Sequence, residues 1–280
     1  MRVHAHAWLA CAATLALMVM GSLVHGTGSS LACPDWPLCH GTAFPAMTGG
    51  VRFEHTHRLM AAAVVVLVVS LLVRSMRVTD RGVPWLAAAA CGLVVMQAAL
   101  GALTVVYRLP PAISVAHLAT SMTFLTVVVL LATRLTVQKA PARPDARRGW
   151  TAAAGSLVLG QVVLGAAVRH LGAALACSGV PLCTGAVWPE SWPGRVHMIH
   201  RAAGAVALVA VLGASIVAFR GAGSASRRAA ALAPAAVVLA QVGLGLGVVL
   251  AHAPLDLVTL HHAGGALLLG SLALSWGLAG

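Results

Sequence analysis

Charge is scarce in this chain. Asp, Glu, Lys and Arg make up 9% of its 280 residues, and only six residues are acidic. A globular protein in water carries about 25% charged residues. With 60% of the residues hydrophobic, a soluble fold of this length could not hide its apolar surface, so lipid is the solvent for most of it. The same shortage excludes a disordered chain and a small secreted scaffold. The few acids also leave a formal net charge of +12, and where that charge sits decides what it means.

Eight apolar stretches are each long enough to cross a bilayer as a helix of about 20 residues. They run over Ala5–His25, Glu54–Val73, Trp85–Tyr107, Ala112–Ala132, Trp150–Val168, Val196–Phe219, Ala229–Ala251 and Leu255–Leu278. Pro110-Pro111, Pro141 with Pro144, Pro193-Gly194 and the Gly221–Ser226 run separate them. Arg2, Arg74, Arg77, Arg81, Arg134, Lys139, Arg143, Arg147, Arg148, Arg220, Arg227 and Arg228 then fall on one side, accompanied only by Asp80 and Asp145. That is 12 of the 18 basic residues. The positive-inside rule makes this side cytoplasmic and puts both termini there. The basic excess is therefore a topology signal, and nucleic acid is not a partner. Arg2 followed by an apolar run also fits a signal peptide; an internal repeat favours a retained first helix.

The repeat is visible in "CPDWPLCHGTAFP" and "CSGVPLCTGAVWP". Cys33 matches Cys177, Cys39 matches Cys183, Gly41 matches Gly185 and Pro45 matches Pro189, each 144 positions on. Gln97 falls on Gln241 and His117 on His261 at the same offset, while "HTHRLMA" and "HMIHRAAG" align at 143. Apolar helices can align by accident; Cys, Pro, Gly, Gln and His together cannot. The expected fold is an all-α integral membrane protein of eight transmembrane helices, built as two tandem pseudo-symmetric four-helix bundles over residues 1–140 and 141–280. Four spans per half give both halves one orientation, a parallel repeat about the membrane normal.

Most of the 13 histidines read as solvated. His4 and His6 are N-terminal, His25, His40 and His170 sit at loop edges, and His252 ends the seventh span. His55 lies beside a motif but on another helix face. Four differ. His57 and His200 begin spans two and six, each followed by an arginine, and His117 and His261 lie just inside the outer starts of spans four and eight. Each half thus offers two imidazoles at similar depth on non-adjacent helices, as a flat macrocycle held by two axial nitrogens requires. The rival reading is helix-capping or interhelical hydrogen bonding. Arg58 and Arg201 could meet propionates of such a macrocycle, or snorkel to the interface. Glu54 lies one turn before His57, where the other half has His197. An acid in one half alone suggests chemistry there and a structural or redox group in the other; a dipole-favoured helix acid is the alternative.

Cys33, Cys39, Cys177 and Cys183 fall in the long non-cytoplasmic loops, where disulfides form. One disulfide per loop, Cys33–Cys39 and Cys177–Cys183, would stabilise by roughly 2–2.5 kcal/mol. A metal site is the rival, although the six-residue step lacks the tight spacing of zinc motifs. An exposed disulfide could also exchange electrons. Cys11 and Cys91 lie within spans and read as small apolar residues.

The motifs "TGSSLACPDWPLCHG", "EHTHR", "QAALGALTVV…AHL", "CSGVPLC", "HMIHR" and "LHHAGG" resemble the haem A synthase family, in its cysteine-containing bacterial subgroup. The likeness runs from about Thr27 to Gly265. It implies a plasma-membrane oxidoreductase that converts the C8 methyl of haem O to the formyl of haem A through successive hydroxylations, with haem b as cofactor. Carried over by position, His57 and His117 would hold the iron of substrate haem O. His200 and His261 would ligate haem b, and Glu54 would be the catalytic acid. His262 adjoins His261, but the 144-residue offset favours His261. Haem O synthase, oxidase-assembly proteins and membrane lipid are the implied partners, with homo-oligomerisation left open. Two histidines on the substrate iron leave two routes: loss of one ligand to admit oxygen, or electron withdrawal and capture of water. Rival functions are a bis-histidine cytochrome b that only carries electrons, a membrane thiol oxidoreductase working through the loop cysteines, and, more remotely, a transporter.

Overall fold

The computed structural model describes residues 2–137 and 145–279. Lys139, Pro141, Arg143, Pro144 and the expected boundary at 140/141 lie outside the described residues. Among the described residues there are eight helices: α1 (Val3–Gly26), α2 (Val51–Ser75), α3 (Gly82–Val106), α4 (Pro111–Val137), α5 (Ala146–His170), α6 (Trp192–Arg220), α7 (Ala225–Leu250) and α8 (Leu255–Leu278). All eight are long and apolar enough to cross a membrane. At ~1.5 Å per residue even the shortest exceeds the ~30 Å hydrocarbon thickness.

The helices overrun the apolar stretches at several ends. α2 starts at Val51 instead of Glu54, α4 continues to Val137 instead of Ala132, and α6 starts at Trp192 instead of Val196. Hydropathy finds only the lipid-solvated length; the backbone keeps its internal hydrogen bonds beyond it, and each added segment carries an arginine, Arg52, Arg134 or Arg195. The starts of three helices carry side-chain caps. Asp145 accepts from the Arg148 amide, Ser191 from Gly194 and Ser224 from Arg227. Pro234 lies inside α7, as membrane helices tolerate.

The chain forms two compact units, Met1–Gln138 and Lys139–Gly280. In the first, α1 packs on α2 and α4, and α3 packs on the same two. The four helices form a ring in which α2 and α4 are diagonal partners. Val64, Val68 and Leu71 of α2 meet the interior together with Met122, Leu125, Val128 and Leu131 of α4 as fully buried side chains. Ala7 and Ala10 are fully covered on α1, where small residues let helices approach closely. Val66, Val73 and Val95 point outward, as expected for faces solvated by lipid.

In the second unit α5 packs on α6 and α8, and α7 packs on the same two. Here α6 and α8 are diagonal, around Val158, Val211, Val238, Leu268, Leu269 and Leu272. Residue for residue, backbone devices recur 144 positions apart. Trp36-Pro37 and Val180-Pro181 are cis, and positive φ occurs at His40 and Thr184, Arg108 and His252, and Leu109 and Ala253. One expectation is corrected here. His6 is buried, 3% exposed, with Arg74 Nη1 3.4 Å from its Nδ1, because α1 packs against α2 at that level.

Candidate functional site

Each histidine that the sequence singles out lies six to eight residues into its helix: His57 in α2, His117 in α4, His200 in α6 and His261 in α8. That is about 9–12 Å, roughly two turns, from the helix start. In both units the pair occupies diagonal helices. His262 adjoins His261 in α8.

A glycine lies under each of the four rings. A Cβ added to Gly21 would meet His57 Cε1 at 3.1 Å, and one at Gly101 would meet His117 Cε1 at 3.3 Å. In the other unit Gly165 and Gly245 stand in the same relation to His200 and His261, both at 3.1 Å. A side chain there would crowd the ring by a few tenths of an ångström, so the glycines let the rings pack closely on the neighbouring helix. His57 Nδ1 and His261 Nδ1 are buried and make no well-aligned hydrogen bond, although the Leu17 and Gln241 backbones lie beside those rings. Paired rings packed against glycines on diagonal helices suit a group that binds imidazole nitrogen, such as a haem iron.

The surroundings of the pairs differ between units. Gln161 of α5 donates from Nε2 to the His200 carbonyl at 2.9 Å and lies 3.1 Å from His200 Nδ1. Gln241 of α7 donates to the His261 carbonyl at 2.7 Å. At the position 144 residues before Gln161 stands Leu17, which can supply no such bond.

Glu54 is 4% exposed in the first turn of α2. Its Oε2 accepts the Cys33 amide at 2.8 Å, and its Oε1 receives Arg58 Nη2 at 2.6 Å. The carboxylate therefore binds the loop to the helix as well as offering a base at the mouth of the unit. Its counterpart His197 is equally buried, with Nδ1 3.0 Å from the Ala173 carbonyl.

Arg58 and Arg201 have partners that the sequence did not suggest. Arg58 also donates to the carbonyls of Asp35 (2.7 Å), Leu38 (2.6 Å) and Cys33 (3.0 Å). Arg201 donates to Gly179 (2.7 Å), Pro181 (3.1 Å) and Cys177 (2.7 Å). Both guanidiniums are committed to gathering the carbonyls of a tight cysteine loop, a task their planar donor fork suits.

Within those loops Cys33 is bonded to Cys39 and Cys177 to Cys183. Asp35 accepts the amides of Gly41 (2.8 Å) and His40 (2.6 Å). These bonds, Gly41 first, hold its carboxyl below the ordinary value of 3.8. The other loop has Gly179 at that place, and a Cβ there would approach the Leu182 carbonyl at 2.8 Å. His55 is buried beside the first disulfide. Cys11 and Cys91 are unbonded thiols inside helices.

The residues that sequence reasoning missed are the four glycines, Gln161 and the environment of His55. The glycines were within reach, since Gly21 and Gly165, and Gly101 and Gly245, are 144 apart. Gln161 breaks the repeat and gave no such signal.

The chain matches the COX15-CtaA family, described as a cytochrome oxidase assembly protein, over residues 51–273. It is 33% identical to the heme A synthase of Symbiobacterium thermophilum, covering 73% of this chain and 72% of that one. It is 31% identical to the heme A synthase of Bacillus licheniformis, with 74% and 72% covered. With the heme A synthase of Shewanella oneidensis it shares 25% identity over 92% of this chain and 91% of the relative.

Proposed function

Because the chain belongs to the COX15-CtaA family of cytochrome oxidase assembly proteins, we propose that it is a haem A synthase, a multi-pass membrane oxidoreductase that oxidises the C8 methyl of haem O to a formyl group. One observation supports the chemistry most directly: the four histidines that the resemblance assigns to iron each have a ring lodged against a glycine, in diagonal pairs.

In this reading the first unit takes the substrate, with His57 and His117 on the haem O iron. His200 and His261 of the second unit hold haem b as the resident cofactor. Bound there, haem b would supply one-electron transfer through its iron. Gln161 and Gln241 hold the backbone next to these two histidines, which supports a permanently organised ligand pair in that unit. Glu54 takes the proton released as the methyl C–H bond is oxidised. Arg58 and the Cys33 amide keep its carboxylate oriented at the mouth, and the acid is absent from the other unit. Arg58 and Arg201 place positive charge at the rim where propionates would lie.

The enzyme resides in the plasma membrane with both termini cytoplasmic, a placement supported by Arg74, Arg81, Arg134, Arg147, Arg220 and Arg227 at the corresponding helix ends. Haem O synthase would supply the substrate, and oxidase-assembly proteins would receive the product.

The test is incubation of purified, haem b-loaded protein with haem O, followed by chromatographic and mass analysis of extracted pigments. Haem A and its hydroxylated precursor are the expected products. An unchanged C8 methyl in fully loaded protein would overturn the reading in favour of an electron-carrying cytochrome.

A further inference from the structure

His55 has no part in the scheme above. It is 6% exposed, its Nδ1 is buried with no hydrogen-bond partner, and one of its ring nitrogens lies within 4.8 Å of both Cys33 Sγ and Cys39 Sγ. Among the described residues this is the sole group of three or more metal-type side chains brought so close together. In the aligned motif of the second unit the place of His55 is taken by Met198, so the second disulfide has no matching imidazole.

We propose that Cys33, Cys39 and His55 form a binding site for one thiophilic d10 cation, zinc(II) or copper(I), once a dithiol has reduced the Cys33–Cys39 disulfide. In that exchange the sulfur–sulfur bond breaks, two electrons and two protons pass from the dithiol to the cysteines, and the dithiol becomes a disulfide. Metal binding then releases the two thiol protons to water. Two thiolates and an imidazole are the ligand set such cations prefer. A tetrahedral centre with Zn–S bonds of ~2.3 Å sets the sulfurs about 3.7 Å apart, so the sulfurs, bonded at 1.98 Å in the disulfide, must part on reduction while staying within reach of His55. The metal would engage whichever ring nitrogen of His55 faces the two sulfurs. Three ligands leave one position open. Because the Cys33 amide reaches Glu54, the site would join the loop to the start of α2 next to the carboxylate. The inference does not depend on haem chemistry.

The experiment uses the full chain in detergent, free of haem, as the Cys177→Ser/Cys183→Ser variant, so that one disulfide is under study. After reduction with a phosphine, cobalt(II) is added as a spectroscopic probe. Zinc(II) and copper(I) are then titrated against chromophoric chelators. Thiolate-to-cobalt charge transfer and one cation per chain should appear only after reduction. His55→Ala should bind roughly a hundredfold more weakly, one lost ligand's share of a structural zinc site. His55→Cys should restore affinity and strengthen the charge-transfer band, which guards against a folding defect in the alanine variant. Equal binding by Cys33→Ser/Cys39→Ser, unaltered affinity in His55→Ala, or no binding by reduced protein would each overturn the proposal. Zinc and copper affinities decide which cation the site favours. A protein that fails to convert haem O yet gives the cobalt spectrum loses only the functional reading.

Discussion

The first turns of α2 and α6 share a frame and differ in content. Each presents a histidine over a glycine, and each places an arginine one residue later to grip three or more backbone groups of a cysteine loop. Inside that frame the first unit has Glu54 and His55, where the second has His197 and Met198. The second has Gln161 beside its histidine, where the first has Leu17. The paired histidines proposed to hold a macrocycle recur, whereas Glu54 and Gln161 each occur in one unit alone. In the proposed function, the few positions at which the two units differ are the ones that give them different tasks.

The largest effect should come from removing the ligands of the second unit. His200→Ala or His261→Ala should abolish the haem b absorption of purified protein, while His57→Ala should leave it and prevent retention of haem O. Full haem b in both second-unit variants would collapse the distinction between pockets. Next comes Glu54→His, which gives the first unit the residue of the second. Loss of a positioned general acid–base group should slow product formation about 10²–10⁴-fold with pigment retained. An active variant would reduce Glu54 to a fastener for the loop.

A smaller change is expected from Gln161→Leu, which imports the first unit's residue. Removing a group that organises a ligand should weaken haem b retention about tenfold, read by haem transfer to an apo-acceptor. No change would mean that the histidine is fixed by Gly165 alone. The smallest effect concerns Asp80, whose carboxylate receives Arg134 at 2.6 and 2.7 Å. The Arg134 hydrogen bond holds its carboxyl below the ordinary 3.8. Its contribution is therefore full above that value and lost as the pH falls through the depressed one. Partial exposure limits the pair to under about 1 kcal/mol. Asp80→Asn should lower the melting temperature slightly at neutral pH, with the difference vanishing in acid.

Much of this was legible before any coordinates. Eight spans follow from apolar length, and the diagonal placement of His57 with His117, and of His200 with His261, follows from even-numbered helices in a ring of four. Less legible were contacts between segments far apart in the chain. Charge beside a candidate ligand suggests Arg58 as a propionate partner; its bonds to the carbonyls of Cys33, Asp35 and Leu38 were not legible because they depend on how the loop folds back. His55 was set aside as facing away from His57. It does face away, and the disulfide lies on that side.

Composition and the 144-residue repeat determined by themselves that this chain has eight helices long and apolar enough to cross a membrane and carries a pair of histidines on non-adjacent helices of each unit. These properties depend on local solvation and on periodicity, which neighbouring residues report. Tertiary structure alone decided which atoms those residues meet: the glycine beneath each ring, the amide on Glu54, the sulfurs beside His55. Such contacts are set by helix packing and loop closure over separations of 16 residues and more, and no local pattern encodes them.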